Sequence, residues 1–396
     1  YIYRKLYSNI MVRRERILIA ILMLNLILLY QFSINNVYAT NVRYVYLFEI
    51  DEVKPVKVAY DAKNDRIIVA DEDNRILIYD KDGRLIKQLD SMVTDSDSII
   101  NRRGLDYDND NDRLLVIGSV PFTPKGKSVV NVAGVNVLDR EGNILFNFSV
   151  VKNHDTYALV IPHQIAYDHN HDRVIAVGID PEVYIFDDNG NLMHKFRIPK
   201  YGSEQYMYAG AILPTARLIR VWDVVYDHNN DRIIVADTWI PGYSNVQILN
   251  NSGDRVLRLV PPSREEFEPV TSVAYDHNHD RVIVADASNK IYIFDRDGRF
   301  MTEFGSKGNK ILEFNNILDI TYDPNNDRIL VADYGNDRVQ VLGLVGGVGT
   351  VKIHHQQYYT SLLMILIFVA AGAIAVQTIV YLKRRGYLLG KLSVRR

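Results

Sequence analysis

The chain has 396 residues, 47% of them hydrophobic, a length that accommodates one large or two ordinary domains. It contains no cysteine, which excludes disulfides, thiolate nucleophiles and Cys-ligated zinc modules such as a RING. Of its 46 basic and 48 acidic side chains, five bases and one acid lie in residues 1–39 and six bases follow residue 382, leaving the segment between with a net charge of −12, a surface that repels phosphate backbones and excludes nucleic acid as a partner.

Residues 17–30, ILIAILMLNLILLY, follow the bases Arg13, Arg14 and Arg16 and precede the small-residue pattern Val37-Tyr38-Ala39. Basic, apolar and small-residue regions in that order predict a secretory signal peptide over residues 1–39, cleaved after Ala39, with a retained N-terminal anchor as the alternative.

Six copies of one motif then follow. They read YDAKNDRIIVAD from Tyr60, YDNDNDRLLVIG from Tyr107, YDHNHDRVIAVG from Tyr167, YDHNNDRIIVAD from Tyr226, YDHNHDRVIVAD from Tyr275 and YDPNNDRILVAD from Tyr322. The tyrosines are 47, 60, 59, 49 and 47 residues apart. A period near 50 made of short strands predicts the blades of a β-propeller. In the fifth copy the four strands read SVAYD, RVIVAD, KIYIFD and RFMTEFG, alternating or continuously apolar as half-buried and buried strands are. A glycine turn, DKDGR, DREGN, DDNGN, NNSGD or DRDGR, joins the third strand to the fourth in the first five copies. The sixth copy stops after its third strand, RVQVLG, and residues 43–50, RYVYLFEI, stand before the first inner strand as an outer strand does. The expected fold is therefore all-β: a six-bladed propeller over residues 43–343, closed by an N-terminal outer strand so that no sheet edge is left bare.

FGSKGNKILEFNNILDITYDPNNDRILVADYGNDRVQV, residues 304–341, resembles the NHL repeats, and VADEDNRILIYDKDGRLI from Val69 is similar. The resemblance runs over about 43–343. It implies the propeller fold and a range of roles, from scaffold and sensor to RNA binder and lyase. The sequence departs from that family in lacking the Pro-x-Gly-Ile pattern ahead of the inner strand and in using Tyr-Asp and Asp-Arg.

Two histidines and two aspartates in YDHNHDR suggest a metal site, but the position after the first Asp is Ala62, Asn109, His169, His228, His277 or Pro324. Alanine and proline carry no ligand, and the rest of the motif persists around them. DNDNDR from Asp108 is similar to an EF-hand loop, yet it lacks the central Gly and the distal Glu. Asn and Asp fold back on their own backbone and tolerate left-handed geometry, so a structural turn is expected, with no metal and no other cofactor. The arginines that close the motif, Arg66, Arg113, Arg173, Arg232, Arg281 and Arg328, are expected to pair with aspartates between blades.

Both hairpin turns within a blade keep their lengths, whereas the insertions fall in the other two connections, at the opposite face. GSVPFTPKGKSVVN from Gly118, VKNHDTYALVIPH from Val151, YGSEQYMYAGAILPTARLIRVW from Tyr201 and TWIPGYS from Thr238 are four of them. Loops on a rigid scaffold carry binding residues, which makes this loop-rich face the candidate for a partner. A period of two along the inner strands places Lys57, Gln164, Asp223 and Asp319 three residues before a motif tyrosine, facing the central channel, with Arg103, His163 and Trp222 beside its loop-rich mouth. These seven are the candidate ligand-binding residues; no catalytic set is assigned.

After a linker over 344–360, residues 361–382, SLLMILIFVAAGAIAVQTIVYL, carry no charge and are long enough to cross a bilayer. Lys383, Arg384, Arg385, Lys391, Arg395 and Arg396 follow, so the positive-inside rule predicts a cytoplasmic tail over 383–396 and a propeller outside a single-pass cell-membrane anchor. Both chain ends leave the propeller at the short-turn face, which turns the loop-rich face away from the membrane. Asn147 and Asn250 open N-x-S sequons. The function expected is a surface module that binds a protein, peptide or glycan. The alternative is a metal-dependent lyase or lactonase-type enzyme with His163, Asp223 and Asp319 converging in the channel.

Overall fold

The computed structural model describes residues 43–345, apart from 90–103, 123–129, 150, 154–155, 160–161, 179, 200–204, 209–210, 215–220, 239–243 and 263–266. The expected signal segment, membrane helix and tail all lie outside the described residues, as does Arg103. Among the described residues, no helix is long and apolar enough to cross a membrane.

Six four-stranded antiparallel sheets form the blades, and in five of them each strand is paired with the next in sequence. The first runs Pro55–Asp61, Arg66–Asp71, Ile76–Asp80 and Leu85–Leu89. The last is built from Ile317–Asp323, Arg328–Asp333 and Arg338–Val345, and its outer strand is Arg43–Asp51 from the other end of the fold. Arg43 faces Val345 and Asp51 faces Arg338, with a register shift between Tyr46 and Phe48. An ion pair from Arg338 to Glu49 at 2.8 Å crosses the same seam. The sixth copy's missing strand is thus supplied by residues 43–51, as expected from the sequence.

The apolar side chains gather into six buried clusters, and each lies between two neighbouring blades. Ala59, Ile68 and Ile78 of blade 1 pack on Leu105, Tyr107 and Leu114 of blade 2, and the cluster of Leu330, Val339, Val58 and Tyr60 joins blade 6 to blade 1. A single blade has no core of its own, so burial drives the ring to close rather than any blade to fold alone.

The motif's turn is now explained residue by residue. The Asp after the tyrosine accepts the backbone N–H three residues on, at 2.9–3.1 Å in all six copies. The second Asp of each copy, from Asp65 to Asp327, has φ between 50° and 57°, the left-handed region that Asp tolerates better than most residues. The motif tyrosine donates its hydroxyl to that same Asp, as Tyr275 does to Asp280 at 2.7 Å and Tyr322 to Asp327 at 2.7 Å. In the glycine turns the constraint is different. Gly190 has φ 81°, and a Cβ there would stand 2.5 Å from the Phe148 ring of the preceding blade.

These turns also join the blades. The Asn or His before the second Asp reaches the tyrosine or Asp of the next blade at every junction: Asn64 to Asp112 at 2.8 Å, Asn111 to Tyr167 at 3.3 Å, His171 to Tyr226 at 3.4 Å. The series continues with Asn230 to Asp280 at 2.7 Å, His279 to Asp327 at 3.4 Å and Asn326 to Asp65 at 2.8 Å. One residue earlier, Asn170, Asn229, Asn278 and Asn325 each donate to a carbonyl of the following blade at 2.7–2.8 Å. His171 and His279 therefore do with Nδ1 what asparagine does elsewhere with its amide.

The arginines pair differently from expectation. Arg66, Arg113, Arg173, Arg232 and Arg328 each bond the first Asp of their own motif through Nε at 2.7–2.9 Å. Four of these five then bridge to the glycine turn of the next blade: Arg113 to Asp188, Arg173 to Asn251, Arg232 to the Arg296 carbonyl and Arg328 to the Lys81 carbonyl. The intra-blade pair is set by the hairpin, which puts Asp and Arg opposite each other in register.

Candidate functional site

The inner strands surround the channel, and their side chains divide it into two parts. Toward the loop-rich face is a buried collar. Lys57 ion-pairs with Asp319 at 3.0 Å, and the Ser272 hydroxyl donates to the same oxygen at 3.0 Å. Asp319 also accepts the Val58 N–H of the next blade at 2.9 Å, and Asp223 accepts the Val273 N–H of its next blade at 2.7 Å. Gln164 accepts from Leu105 of the preceding blade at 3.2 Å. Lys57, Gln164, Asp223 and Asp319 are 5%, 6%, 1% and 2% exposed, so they brace neighbouring inner strands, and Gln164 and Asp319 also border the channel cavity. Burial pushes Asp319 up to about 6 even with the Lys57 ammonium beside it.

At the loop-rich mouth His163 and Trp222, both half-buried, stand edge to face with ring centres 5.6 Å apart. With Val56, Lys57 and Leu318 they line a pocket of only 20 Å³, about the space of one water. The structure thus brings six of the seven candidates to the collar and its mouth.

Beyond the collar the channel widens toward the short-turn face into a cavity of 290 Å³. Its lining mixes apolar inner-strand residues with the motif tyrosines, Thr321, Gln164 and Asp319, and its outer end is ringed by the residues that follow the motif's first Asp, from Ala62 to Pro324. Three of these are histidines on consecutive blades: His228 lies 6.2 Å from His169 and 4.5 Å from His277, measured between ring centres. His169 holds Asp110 at 2.9 Å. Burial, and then the neighbouring imidazoles, push His277 down to about 4 and His228 below its ordinary value, so both are neutral at pH 7.

Deeper in this cavity stands Asp106, half-buried, one residue before its motif tyrosine. Its oxygens accept one backbone N–H each, from Tyr107 at 2.8 Å and from Tyr167 of the next blade at 2.7 Å. Burial pushes its carboxyl up to about 6. Asp106 is not among the seven candidates read from the sequence. The signal was there: the other five copies carry Ala59, Ala166, Val225, Ala274 and Thr321 at that position.

Among the described residues, two groups bring three potential metal-ligand atoms within 4.8 Å of one another: Asp108, Asp110 and His169, and Asp276, His279 and Asp327. The second repeats the Asp–Asn–Asp contacts that other junctions make with asparagine, which accounts for it without an ion. Neither group contains His163, Asp223 or Asp319.

Residues 255–357 match a family model described as a 6-bladed beta-propeller. The chain is a six-bladed β-propeller. No curated protein matches it. The match begins in the outer strand of blade 4, so it covers blade 5 and the three blade-6 strands from Ile317 to Val345, and neither the closing strand Arg43–Asp51 nor the insertions of blades 2 to 4.

Proposed function

We propose that the chain is a membrane-anchored, extracytoplasmic propeller, similar to NHL-repeat proteins, that binds a protein, peptide or glycan through its loop-rich face. The observation that carries this reading is the division of labour between the two faces. At the short-turn end every hairpin is spent on inter-blade bonds. The elaborations gather in the other connections: the ten-residue strands Arg113–Phe122 and Val130–Asp139, and the ribbons Val151–Asn153 with Thr156–Leu159 and Gln205–Tyr208 with Ala211–Pro214. Variable loops on a braced ring are the usual site of recognition. An apolar segment at 361–382 followed by six bases supports the anchor and the outward orientation.

The lyase or lactonase alternative is less well supported. Its three ligands do not converge: Asp223 and Asp319 accept N–H groups of neighbouring strands, and His163 packs against Trp222. The test is site-specific photo-crosslinking of the full chain in its own membranes. A crosslinker at Asp73, in the loop-rich connection, is expected to trap a partner that one at Asp82, in a short turn, does not. Equal trapping from both positions, or from Asp82 alone, would overturn the assignment of the face.

A further inference from the structure

The channel cavity at the opposite end is independent of any partner on the loop-rich face. We propose that it binds a small organic cation, an amine or ammonium compound, with Asp106 as its anionic anchor. Four observations converge on that class. At 290 Å³ the cavity lies at the small end of ligand pockets, with a lining that mixes apolar and polar side chains. Asp106 puts a carboxylate into this wall where the five equivalent positions are small or uncharged. Each of its oxygens accepts a single N–H, which leaves acceptor capacity on both.

Bracing alone does not account for this residue. Asp223 and Asp319 brace their neighbours from almost complete burial, whereas Asp106 makes the same kind of bond while part of its surface stays open to the cavity. Its own blade carries Gly104 at the collar position, so the carboxylate sits one step closer to the short-turn end than the others.

Charge then selects the ligand. No lysine or arginine lines the cavity among the described residues, and the collar's ammonium, Lys57, is held by Asp319. Of the mouth histidines, His228 and His277 contribute neutral imidazoles. An anion entering here would meet an uncompensated carboxylate; a cation would meet the only charge it needs. A coordinated metal ion fits less well than an organic cation. Neither group of closely spaced ligand atoms includes Asp106, His228 or His277.

The test is isothermal titration of the full chain near neutral pH with n-butylammonium, tetramethylammonium and agmatine, alongside butyrate and Zn²⁺. At least one of the three cations is expected to bind, butyrate is not, and Asp106→Asn is expected to weaken the cation at least tenfold. Val225→Phe adds bulk to the cavity from blade 4, two blades away from the carboxylate, and it is expected to abolish binding; it keeps the proposal testable should D106N misfold. The proposal fails if none of the three cations binds, if D106N or V225F binds as tightly as the wild type, or if Zn²⁺ alone binds and is lost on His228→Ala.

Discussion

Asn326, in the last blade, donates its side-chain amide to the Asp65 carboxylate of the first at 2.8 Å, so the ring closes through side chains as well as strands. The same bond joins blades 4 and 5 through Asn230 and Asp280 at 2.7 Å. Because the two junctions are chemically equal, Asn326→Ala and Asn230→Ala are expected to cost similar amounts, about 1–2 kcal/mol each for a part-buried bond to a carboxylate. Urea unfolding of both variants checks this. A much larger loss at Asn326 would mean that the seam is held by this belt more than by its strand pairing.

Lys57 and Asp319 form the one ion pair of the collar. Lys57→Met leaves a buried carboxylate without its counter-charge, and the expected loss is about 3–5 kcal/mol at neutral pH. The sign of its pH dependence follows from Asp319, whose carboxyl lies at about 6 in the fold against an ordinary 3.8. Between those values the folded state binds the proton more readily than the unfolded chain, so acid stabilises it. Removing the ammonium raises the folded value further. The deficit of K57M relative to wild type is therefore expected to shrink as pH falls through 6, measured as urea midpoints at pH 7 and 5.

Arg281 breaks the pattern of the arginines. It is 1% exposed, ion-pairs with Asp276 only at 3.8 Å, and leaves Nη1 and Nη2 without a hydrogen bond. The next blade is the sixth, which has no glycine turn for it to reach, because its third and outer strands come from opposite ends of the fold. Arg328, by contrast, bonds Asp323 at 2.7 Å and the Lys81 carbonyl at 2.8 Å. Arg281→Met is accordingly expected to be near neutral or stabilising, while Arg328→Met costs about 2–4 kcal/mol. Thermal denaturation of the two variants side by side decides it, and equal losses would contradict the structural difference.

The repeat, the four strands of each blade, the closing strand at 43–51 and the structural nature of the Asp-rich turn were all legible in the sequence. Each rests on local chemistry: a period of two, a glycine with positive φ, an Asp that bonds its own backbone. What the sequence could not carry was direction. A period of two separates Lys57 and Ala59 from Val58 and Tyr60, but it does not say whether a side chain meets the channel or the next blade. Ala59 packs between blades, Ala274 packs there and also lines the cavity, and Asp106, Val225 and Thr321 at the same position line it too. Asp223 and Asp319 read as open polar groups until their backbone partners on neighbouring strands were seen. Such contacts join residues some 50 or 260 positions apart, and no local pattern records them.

His277 gives the last prediction. Burial, and then His228 and His169, bring its imidazole down to about 4 from an ordinary 6.5. The folded state therefore binds fewer protons than the unfolded chain across that interval. The stability this neutral imidazole contributes is present above about pH 6.5 and is lost as pH falls toward 4. Asp106 and Asp319 titrate in the same window with the opposite sign, so wild type alone cannot isolate the effect. Asn109 occupies the equivalent position in blade 2, which makes His277→Asn the natural reference. Allowing for solvent screening of a half-buried group, wild type is expected to lose about 1–2 kcal/mol more than H277N between pH 7 and pH 4. Equal losses in urea unfolding at the two pH values would show that His277 is protonated in the folded state as easily as in the unfolded chain, and that the crescent of histidines does not hold it neutral.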